Sequence, residues 1–432
     1  MFLKKILGKL LALAIISLLL SACGKSKSDS NSVQVEIMLP SGGNFQEFLN
    51  NEIVPAFKKK HPNIKILVSN DDKTILATRL AAGDPPDVYA GTFGYMPMKF
   101  AQMGRLVDYM KYKDYPELAK RIDPRFRGDL LDGVYYVPWN VTTQLMVYNK
   151  DLFKEAGLNP DRPPETLDEF LDYAKKITAL PNRKNGSKVY GTLFWNDALS
   201  WGGWYWTMLA PMYYTINGGK YELLNPQGTK IVFNLPNAKM AEYLKFMQSA
   251  QKYAPLDFKK SFPSGTIGMW LQFGYGWVPT LKEASGKPMI IGDNIGLAPL
   301  PVPKKGDASY STLDGRALML FRSNPHKEDA AWELVKFLME EENNLKACKV
   351  LGQLPSLTTL ENDPFFQSPE AQPFIKQLDH VLPNENAAVS DQVQNLVLQM
   401  YMQTVVLNKK PIDKAIAETA KKAMEILVTD QE

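Results

Sequence analysis

The sequence predicts an α/β protein with two domains, and three observations support this prediction. The chain has 432 residues, which is more than a single hydrophobic core usually holds. Its 45% hydrophobic and 22% charged residues are typical of a globular protein. From residue 33 onward, short stretches with a period of two alternate with stretches of helical period. This order predicts a parallel sheet covered by helices in the N-terminal part of the chain.

The first elements of this pattern are strand, helix, strand, helix and strand. Residues 33–39 alternate apolar and polar side chains and predict the first strand, and residues 64–68 and 88–90 predict the next two. Asn44, with a glutamate three residues later, is a typical N-cap for the helix between the first two strands. In parallel sheets, ligands bind beyond the carboxyl ends of the strands. The candidate contacts at these ends are Asn44, Thr92 and Tyr95.

A second α/β pattern begins near residue 135. Residues 135–137 and 145–148 predict two strands on either side of Pro138. Thr166, with Glu169 three residues later, forms a capping box and predicts the start of an amphipathic helix. The second domain is not a strict sequence repeat of the first.

The first 22 residues predict a signal peptide for export. Three lysines precede the apolar residues 10–20, a stretch too short to span a bilayer as a helix. The tetrad Leu20-Ser21-Ala22-Cys23 resembles the lipobox of bacterial lipoproteins. This resemblance implies cleavage before Cys23 and a lipid on its sulfur, so that residues 23–32 are the lipidated cysteine and a flexible polar tether. An ordinary signal peptide with an unrelated cysteine is the alternative.

Charge and cysteine content exclude two further features. The formal net charge is +4, and removal of the signal with its three lysines leaves +1, so no nucleic-acid partner is expected. The two cysteines are Cys23 and Cys348. If Cys23 carries a lipid, no intrachain disulfide can form, and hydrophobic cores must stabilise the exported chain.

The sequence lacks the motifs of common enzyme classes. His61, His326 and His380 have no metal-ligand spacing, and there is no nucleophile elbow, phosphate-binding loop or zinc-protease motif. We therefore expect no catalytic residue, metal site or cofactor. Two alternatives stay open. One is a lipid-anchored glycoside hydrolase or lyase, which would need two carboxylates across a cleft. The other is a surface adhesin or assembly lipoprotein without a small-molecule ligand.

Several short motifs follow one another along the chain. They are residues 52–64, which end in His-Pro-Asn-Ile, the stretch Ala82-Gly-Asp-Pro-Pro-Asp-Val-Tyr, residues 137–157, Pro164-Glu-Thr-Leu-Asp-Glu-Phe, Ala330-Ala-Trp-Glu-Leu-Val-Lys-Phe-Leu and Gly352-Gln-Leu-Pro-Ser. Together, behind a lipobox, they resemble the family 1 extracellular solute-binding proteins, the substrate-binding lipoproteins of ABC importers for carbohydrates. The resemblance extends over most of the mature chain.

This resemblance implies a type II periplasmic-binding-protein-like fold, with two α/β lobes joined by hinge crossings and a ligand cleft between them. The N-terminal lobe would contain residues 33–139 and 295–340, and the C-terminal lobe residues 140–294 and 341–432. The family also implies a carbohydrate ligand, such as an oligosaccharide, and delivery to the transmembrane subunits of an ABC permease without catalysis. We expect a monomer that is anchored by its lipid on the extracytoplasmic side of the cell membrane.

Aromatic residues are the first class of candidate sugar contacts. A ring stacks on the apolar face of a sugar, while the polar group of Tyr or Trp reaches its rim. Seven of the eight tryptophans lie between positions 139 and 277. The densest group is Trp201, Trp204, Tyr205 and Trp206, and helical spacing would place the first three on one face. The alternative is that these rings form a core.

Residues near the expected hinge and in a glycine-rich segment form the second class. Trp139, Asn140 and Thr142 follow a proline at the end of a predicted strand. Tyr275 lies between Gly274 and Gly276, and Gln272 precedes them; the glycines allow a ligand to approach the backbone closely.

Asp314 and Arg316 form the third class, in a segment that precedes a predicted strand. A carboxylate accepts hydrogen bonds from two neighbouring hydroxyls, and a guanidinium donates in a fork. The alternative is a surface turn with a local ion pair. A phosphate ligand would need a basic cleft or free helix N-termini, and Arg316 is the only cation in the candidate loops. A neutral sugar is therefore expected.

Overall fold

The protein is represented by a computed structural model that describes residues 32–41, 44–72, 74–92, 95–130, 133–194, 204–256, 261–282, 284, 287–383 and 387–431. The predicted signal peptide, Cys23, the tether up to residue 31 and Trp201 lie outside the described residues. The side chains of Tyr95, Trp204 and Tyr205 also lie outside the description.

The strands and helices of the described residues are as follows. The strands are β1 Val33–Pro40, β2 Ile64–Asp71, β3 Val88–Thr92, β4 Asp129–Leu130, β5 Gly133–Val134, β6 Val137–Thr142, β7 Gln144–Asn149, β8 Tyr190–Leu193, β9 Ile267–Gly274, β10 Ile295–Ala298, β11 Ser311–Leu320, β12 Leu354–Pro355 and β13 Val381–Pro383. The α-helices are α1 Phe45–Phe48, α2 Val54–Lys60, α3 Ile75–Ala81, α4 Tyr95–Gln102, α5 Tyr115–Arg121, α6 Lys150–Glu155, α7 Leu167–Thr178, α8 Trp204–Asn217, α9 Met240–Gln251, α10 Val278–Leu281, α11 Pro325–Leu338, α12 Glu341–Leu351, α13 Gln372–Gln377, α14 Ser390–Tyr401 and α15 Ile412–Gln431. Shorter turns are the π-helical Leu49–Ile53 and Met402–Val406 and the 3₁₀ turns Tyr109–Lys111, Pro124–Phe126, Pro236–Ala238, Phe262–Ser264, Tyr275–Trp277, Thr358–Leu360 and Leu378–His380.

The larger sheet has seven strands in the order β12-β6-β11-β3-β1-β2, with β13 paired to β11. Strand β1 pairs in parallel with both β2 and β3, which confirms the parallel pattern predicted for this part of the chain. Strand β11 is antiparallel to β3 and to β6. It therefore lies between elements from the beginning and the middle of the sequence and brings their residues onto one surface.

The smaller sheet has four strands in the order β10-β7-β9-β8. Strand β7 is antiparallel to β9 and β10, and β8 is parallel to β9. Helix α7 begins with the predicted capping box, which the structure confirms. The Glu169 N–H donates to Thr166 Oγ1 at 3.3 Å, and the Thr166 N–H donates to the Glu169 carboxylate at 3.4 Å.

Strand β7 separates two hydrophobic cores. Its residues Leu145 and Val147 belong to a core that includes the larger sheet and residues of β9 and β10 in the smaller sheet. Met146 and Tyr148 belong to a second core built with helices such as α8, α9 and α14. We call the larger sheet with its helices the first lobe and the smaller sheet with its helices the second lobe. The predicted two-lobed α/β fold is thus confirmed. Among the described helices, none has the length and apolar character that a bilayer span requires.

Strand pairing divides the chain differently from the predicted boundaries at residues 140, 295 and 341. Strand β6 stays in the larger sheet as far as Thr142, and β10 pairs with β7 in the smaller sheet. The segment from α12 to β12 returns to the larger sheet, since β12 pairs with β6 and Asn344 Nδ2 donates to the Trp139 carbonyl at 2.7 Å. Periodicity predicts a strand but not its partner, which tertiary packing selects.

Candidate functional site

Five of the predicted site residues lie on one face of the larger sheet. Arg316 of β11 is directly opposite Thr92 of β3 on one side and Asn140 of β6 on the other. Two residues earlier on β11, Asp314 is opposite Thr142. Opposed residues of neighbouring strands, and residues two apart on one strand, point to the same face. We call these five residues the polar face; they lie next to the point where the chain crosses from β6 into β7 of the second lobe.

A β-bulge brings Asn140 into this row. Arg316 is opposite Asn140, but the next pair on β6 already involves Pro138, so Trp139 is the extra residue. Bulges re-aim side chains and are common near binding sites. The Trp139 ring is fully buried and meets the Phe45 ring edge-on, with centroids 5.9 Å apart. Burial leaves no ring surface for stacking on a sugar and removes Trp139 from the candidate contacts.

Arg316 is a half-buried cation on the polar face. Its guanidinium carbon lies 4.9 Å from the centroid of the Phe45 ring, a cation–π distance. Among the described residues, none forms a salt bridge or a hydrogen bond with this guanidinium. Desolvation lowers the pKa of Arg316 from its ordinary value, and attraction to Asp314 and Tyr89 opposes this effect only in part. Because both Asp314 and Arg316 lie within β11, the alternative of a surface turn with a local ion pair is wrong.

The side chain of Asn140 is also unusual. It is 0% exposed, yet neither its Nδ2 nor its Oδ1 has a hydrogen-bond partner in the described part of the chain. Leaving a buried polar group unpaired costs roughly 1–3 kcal/mol, so most buried amides are paired. The neighbouring Thr143 hydroxyl is buried and unpaired in the same way. Such groups in a native structure indicate a ligand, an ordered water or a functional strain.

The remaining polar candidates lie closer to the surface. Asn44 occupies the N-cap position of α1, but its side chain makes no capping hydrogen bond and is exposed. Thr92 Oγ1 lies 3.6 Å from the Met96 sulfur. One oxygen of the half-buried Asp314 carboxylate accepts the Gly315 N–H at 2.7 Å. These side chains add donors and acceptors around Arg316 and Asn140.

Trp206, by contrast, belongs to the core of the second lobe. It is 1% exposed, and its ring packs against those of Tyr213 and Tyr243, with centroid distances of 5.7 and 6.2 Å. The alternative given above, that these aromatic rings form a core, is therefore correct for Trp206. Trp206 is therefore no longer a candidate contact.

Tyr275 and Gln272 are buried as well. Tyr275 is 4% exposed and packs edge-on against Phe374 at 5.4 Å, and burial raises the pKa of Tyr275 to about 12. Gln272 is 3% exposed, and its Nε2 donates to the Met208 carbonyl at 3.2 Å. Both side chains therefore position neighbouring elements and do not face a ligand in this structure.

A proline in helix α8 creates a contact to the lobe crossing. Pro211 has no N–H, so it cannot donate the usual helical hydrogen bond to the Thr207 carbonyl four residues earlier. Gln144 Nε2 and Thr312 Oγ1 donate to this carbonyl at 3.0 and 3.1 Å. Gln144 begins β7 and Thr312 lies near the start of β11, where the chain crosses between the lobes. The helix that carries three of the predicted aromatic contacts is thereby held at the crossing.

Gln144 and Thr312 were not among the residues predicted from the sequence. The available signal was Pro211, a proline within an otherwise helical apolar segment. Such a proline frees a backbone carbonyl that must find a donor elsewhere. The sequence does not reveal which donor, because both lie on strands far from the helix.

The glycine-rich segment after β9 approaches the first lobe. A Cβ atom added to Gly352, which has a φ of +62°, would lie 3.1 Å from Gly276 Cα. A Cβ atom added to Gly274 would lie 3.7 Å from Thr142 Oγ1. These glycines thus lie close to other parts of the chain, at the edge of the polar face, and the close approach of a ligand to them stays a prediction.

A separate cavity of about 720 Å³ lies along the segment between β10 and β11. Its lining includes Pro163, Pro164, Pro299 and Pro373, and none of the predicted site residues. Within the described ranges, no group of three or more His, Cys, Asp and Glu side chains could hold a metal ion. The polar face therefore remains the candidate site.

Comparison with known proteins identifies the family. Residues 42–345 match the family described as bacterial extracellular solute-binding protein. The arabinooligosaccharide-binding protein of Bacillus subtilis (strain 168) is 24% identical over 371 residues, which are 79% of this chain and 78% of that protein. The galactooligosaccharide-binding protein of the same organism is 26% identical over 436 residues, 94% of each chain. Maltose-bound MalE3 of T. maritima has the same fold, with a TM-score of 0.74 and 23% identity over 91% of this chain and 100% of that one. Since the family match covers more than half of its length, this chain belongs to the bacterial extracellular solute-binding proteins.

Proposed function

We propose that this protein captures a carbohydrate, such as an oligosaccharide, between its two lobes and delivers it to the transmembrane subunits of an ABC importer. The polar face is the observation that carries this proposal. It combines a carboxylate, a guanidinium, an amide and two hydroxyls on neighbouring strands beside a lobe crossing. A sugar ring presents several hydroxyls, each of which can donate and accept a hydrogen bond, and this mixture of groups matches them.

The relatives support a carbohydrate ligand, since two of them bind arabinooligosaccharides and galactooligosaccharides by name. A ligand that contacts both lobes favours the closed arrangement in proportion to its higher affinity for that state. The anchored residues of α8 and the glycine-rich segment are the second-lobe elements next to the polar face. The proposed cycle is therefore capture, lobe closure and release to the permease.

A binding function fits the polar face better than glycoside hydrolysis does. Hydrolases use two carboxylates about 5–10 Å apart across the scissile bond. Asp314 is the one carboxylate among the five residues of the polar face. The chain is therefore proposed to leave the sugar chemically unchanged.

We further propose that the mature protein is a monomer held at the cell membrane by a lipid on Cys23. The lipobox-like tetrad and the polar tether support this, and a lipid raises the effective concentration of the binder near its permease. Replacing Cys23 with Ser in a bacterial host should move the protein from the membrane fraction to the soluble extracytoplasmic fraction. A variant that stays in the membrane fraction would rule out the lipid anchor.

A thermal-shift screen of the mature protein against a panel of oligosaccharides tests the binding function. A ligand at about 100 times its Kd adds roughly 2.7 kcal/mol to the free energy of unfolding, so the melting temperature should rise by several degrees. The same samples are analysed by chromatography for hydrolysis products. The proposal fails if no saccharide changes the melting temperature, or if a saccharide is cleaved.

Matched substitutions locate the site. Asp314→Asn should weaken binding of any sugar found in the screen by about tenfold, because it replaces a charge-assisted hydrogen bond with a neutral one. The control is Asp307→Asn, an exposed carboxylate in the segment between the lobes. Equal affinities of both variants and the native protein would place the sugar elsewhere.

A further inference from the structure

We propose that the carbohydrate bound at the polar face carries a carboxylate group, and that Arg316 binds this carboxylate. The inference rests on the proposed function, because it names the ligand class of the same site. It departs from the neutral sugar expected from the sequence. We infer an acidic sugar instead because of the residues around Arg316, which only the structure shows.

Among the described residues, Arg316 has no carboxylate partner, unlike four other arginines of the chain, Arg79, Arg125, Arg162 and Arg183. Arg79 donates two parallel hydrogen bonds to Glu36, at 2.7 and 2.8 Å. Arg125 contacts three carboxylates, at distances of 2.9 to 3.0 Å. Withdrawing a cation from water is unfavourable unless an anion faces it. A ligand group in front of Arg316 would supply the missing anion.

The groups around Arg316 do not replace this partner. The face of the Phe45 ring attracts the charge at 4.9 Å but accepts no strong hydrogen bond from the five guanidinium N–H groups. Asp314 lies two residues away on the same strand and forms no salt bridge with Arg316. The two side chains can instead bind different parts of one ligand, Asp314 its hydroxyls and Arg316 its acid group.

Asn140 adds an independent indication of a ligand at this position. It is directly opposite Arg316 and fully buried, and the described residues provide no hydrogen-bond partner for either of its amide atoms. Its Nδ2 can donate to a carboxylate oxygen that also faces the guanidinium. The amide is covered in this structure, so the proposal requires a movement that exposes it to the ligand, such as the lobe opening that hinge crossings allow.

A single guanidinium favours a carboxylate over a phosphate. A carboxylate carries one negative charge, and its two coplanar oxygens match the guanidinium fork. A phosphate ester carries about 1.5 to 2 negative charges, and the Asp314 carboxylate on the same face would repel it. Arg316 is the one cation among the five residues of the polar face. The ligand class is therefore a saccharide that contains a uronic acid residue.

Isothermal titration calorimetry of the mature protein with matched ligand pairs tests this inference. Each pair is a uronate oligosaccharide and its methyl ester, which keeps the hydroxyls and removes the charge. The acids are oligomers of galacturonate, glucuronate and mannuronate; neutral arabino- and galacto-oligosaccharides and glucose 1-phosphate complete the set. We expect one acid to bind at least about tenfold more tightly than its ester. Its affinity should also decrease as the salt concentration rises.

Substitutions assign the effect to Arg316. Arg316→Gln should weaken binding of the acid by at least about tenfold and change the affinity for the ester by less than about twofold. Arg316→Lys keeps the charge but not the fork, so it should weaken acid binding less. The control is Arg127→Gln, which removes the same charge from an exposed side chain. If Arg316→Gln does not fold, Arg316→Lys and the salt dependence decide the question.

The outcomes separate this inference from the proposed function. If a neutral oligosaccharide or glucose 1-phosphate binds more tightly than every acid, the carboxylate proposal is wrong and the sugar-binding function stands. If Arg316→Gln weakens acid and ester equally, Arg316 binds hydroxyls and the proposal is also wrong. If no saccharide of any kind binds, both are wrong.

Discussion

The polar face and the first turns of helix α8 lie on the two sides of the lobe crossing. They differ in whether particular buried polar groups have hydrogen-bond partners. On the polar face, the side chains of Asn140 and Arg316 have no hydrogen-bond partner among the described residues. At α8, the Thr207 carbonyl, to which Pro211 cannot donate, receives two hydrogen bonds from side chains of the crossing strands. The Thr207 carbonyl is therefore paired, whereas the amide of Asn140 and the guanidinium of Arg316 have no hydrogen-bond partner in the described part of the chain.

This difference distinguishes hydrogen bonds that stabilise the fold from polar groups that are available to bind a ligand. Completing the hydrogen bonds at α8 stabilises the connection between the lobes, because a buried carbonyl without a donor would reduce stability. Leaving the polar face incomplete reduces stability and provides groups that a ligand can pair. Natural proteins usually break the rules of polar pairing at binding sites and not at structural ones.

The largest expected effect concerns the aromatic core behind α8. Trp206→Ala should lower the free energy of unfolding by about 3–5 kcal/mol, because it removes a ring enclosed by Tyr213 and Tyr243. Trp206→Phe is the control, since it keeps one six-membered aromatic ring and removes the rest of the indole with Nε1, which has no partner in the described structure. Urea unfolding measures both. Native stability of the alanine variant together with lost sugar binding would instead make Trp206 a ligand contact.

The second effect concerns the carbonyl freed by Pro211. Gln144→Met keeps the length of the side chain but removes a donor to Thr207, and should lower the free energy of unfolding by about 1–3 kcal/mol. Gln367→Met is the control, because Gln367 Nε2 donates to the Glu361 carbonyl on the exposed surface. Thermal unfolding compares the two variants. Equal melting temperatures would mean that the contact at the crossing contributes no more than a surface hydrogen bond.

A third comparison uses two fully buried asparagines near Trp139. Asn140 follows it in the sequence, and Asn344 contacts its carbonyl group. Asn140→Leu should leave the free energy of unfolding unchanged or raise it by up to about 1 kcal/mol, because the amide it removes is unpaired. Asn344→Leu should lower it by about 1–3 kcal/mol, because Asn344 donates to the Trp139 carbonyl at 2.7 Å. Urea unfolding measures both. If Asn140→Leu is the more destabilising variant, Asn140 has a structural role.

The smallest effect is a pH dependence in the first lobe. Burial disfavours the charged form of Glu36, but hydrogen bonds from Arg79 and Ser69 outweigh it, so the pKa of Glu36 lies below its ordinary value of 4.5. The stabilisation by this carboxylate is present above that value and is lost as the pH falls through the lowered pKa. The difference in unfolding free energy between the native protein and Glu36→Gln should therefore shrink below about pH 4.5.

Urea unfolding at several pH values measures this difference. Glu117→Gln is the control, because Glu117 forms only an exposed ion pair with Lys120. A constant difference between native protein and Glu36→Gln over the whole pH range would contradict the assignment.

Individual strands and helices could be predicted from the sequence, but the pairing of each strand with its neighbours could not. Alternation in residues 33–39 and the capping box at Thr166 are local signals, and the structure confirms both elements. The lobe to which β10 and α12 belong could not be predicted, because nearly any strand can pair with any other and packing selects the partner. The predicted boundaries differ from the strand pairing for this reason.

The candidate site could be predicted in part. Residue chemistry and family resemblance singled out Thr92, Asn140, Thr142, Asp314 and Arg316, which the structure brings together on one face. The same reasoning also selected Trp139 and Trp206, which are buried. A tryptophan suits a sugar cleft and a core equally well, so its residue type cannot distinguish the two.

The sequence alone determined what can be read from neighbouring residues: the order of strands and helices, the absence of common enzyme motifs and the resemblance to a family. The export signal read from its first residues stays a prediction. Only the tertiary structure decided which polar groups are paired. Whether Arg316 meets a carboxylate, or Asn140 a donor, depends on strands that are distant in sequence and on a bulge at Trp139. Pairing of buried groups is a property of three-dimensional contacts, and here it distinguishes the structural contacts of α8 from the groups that we propose bind the ligand.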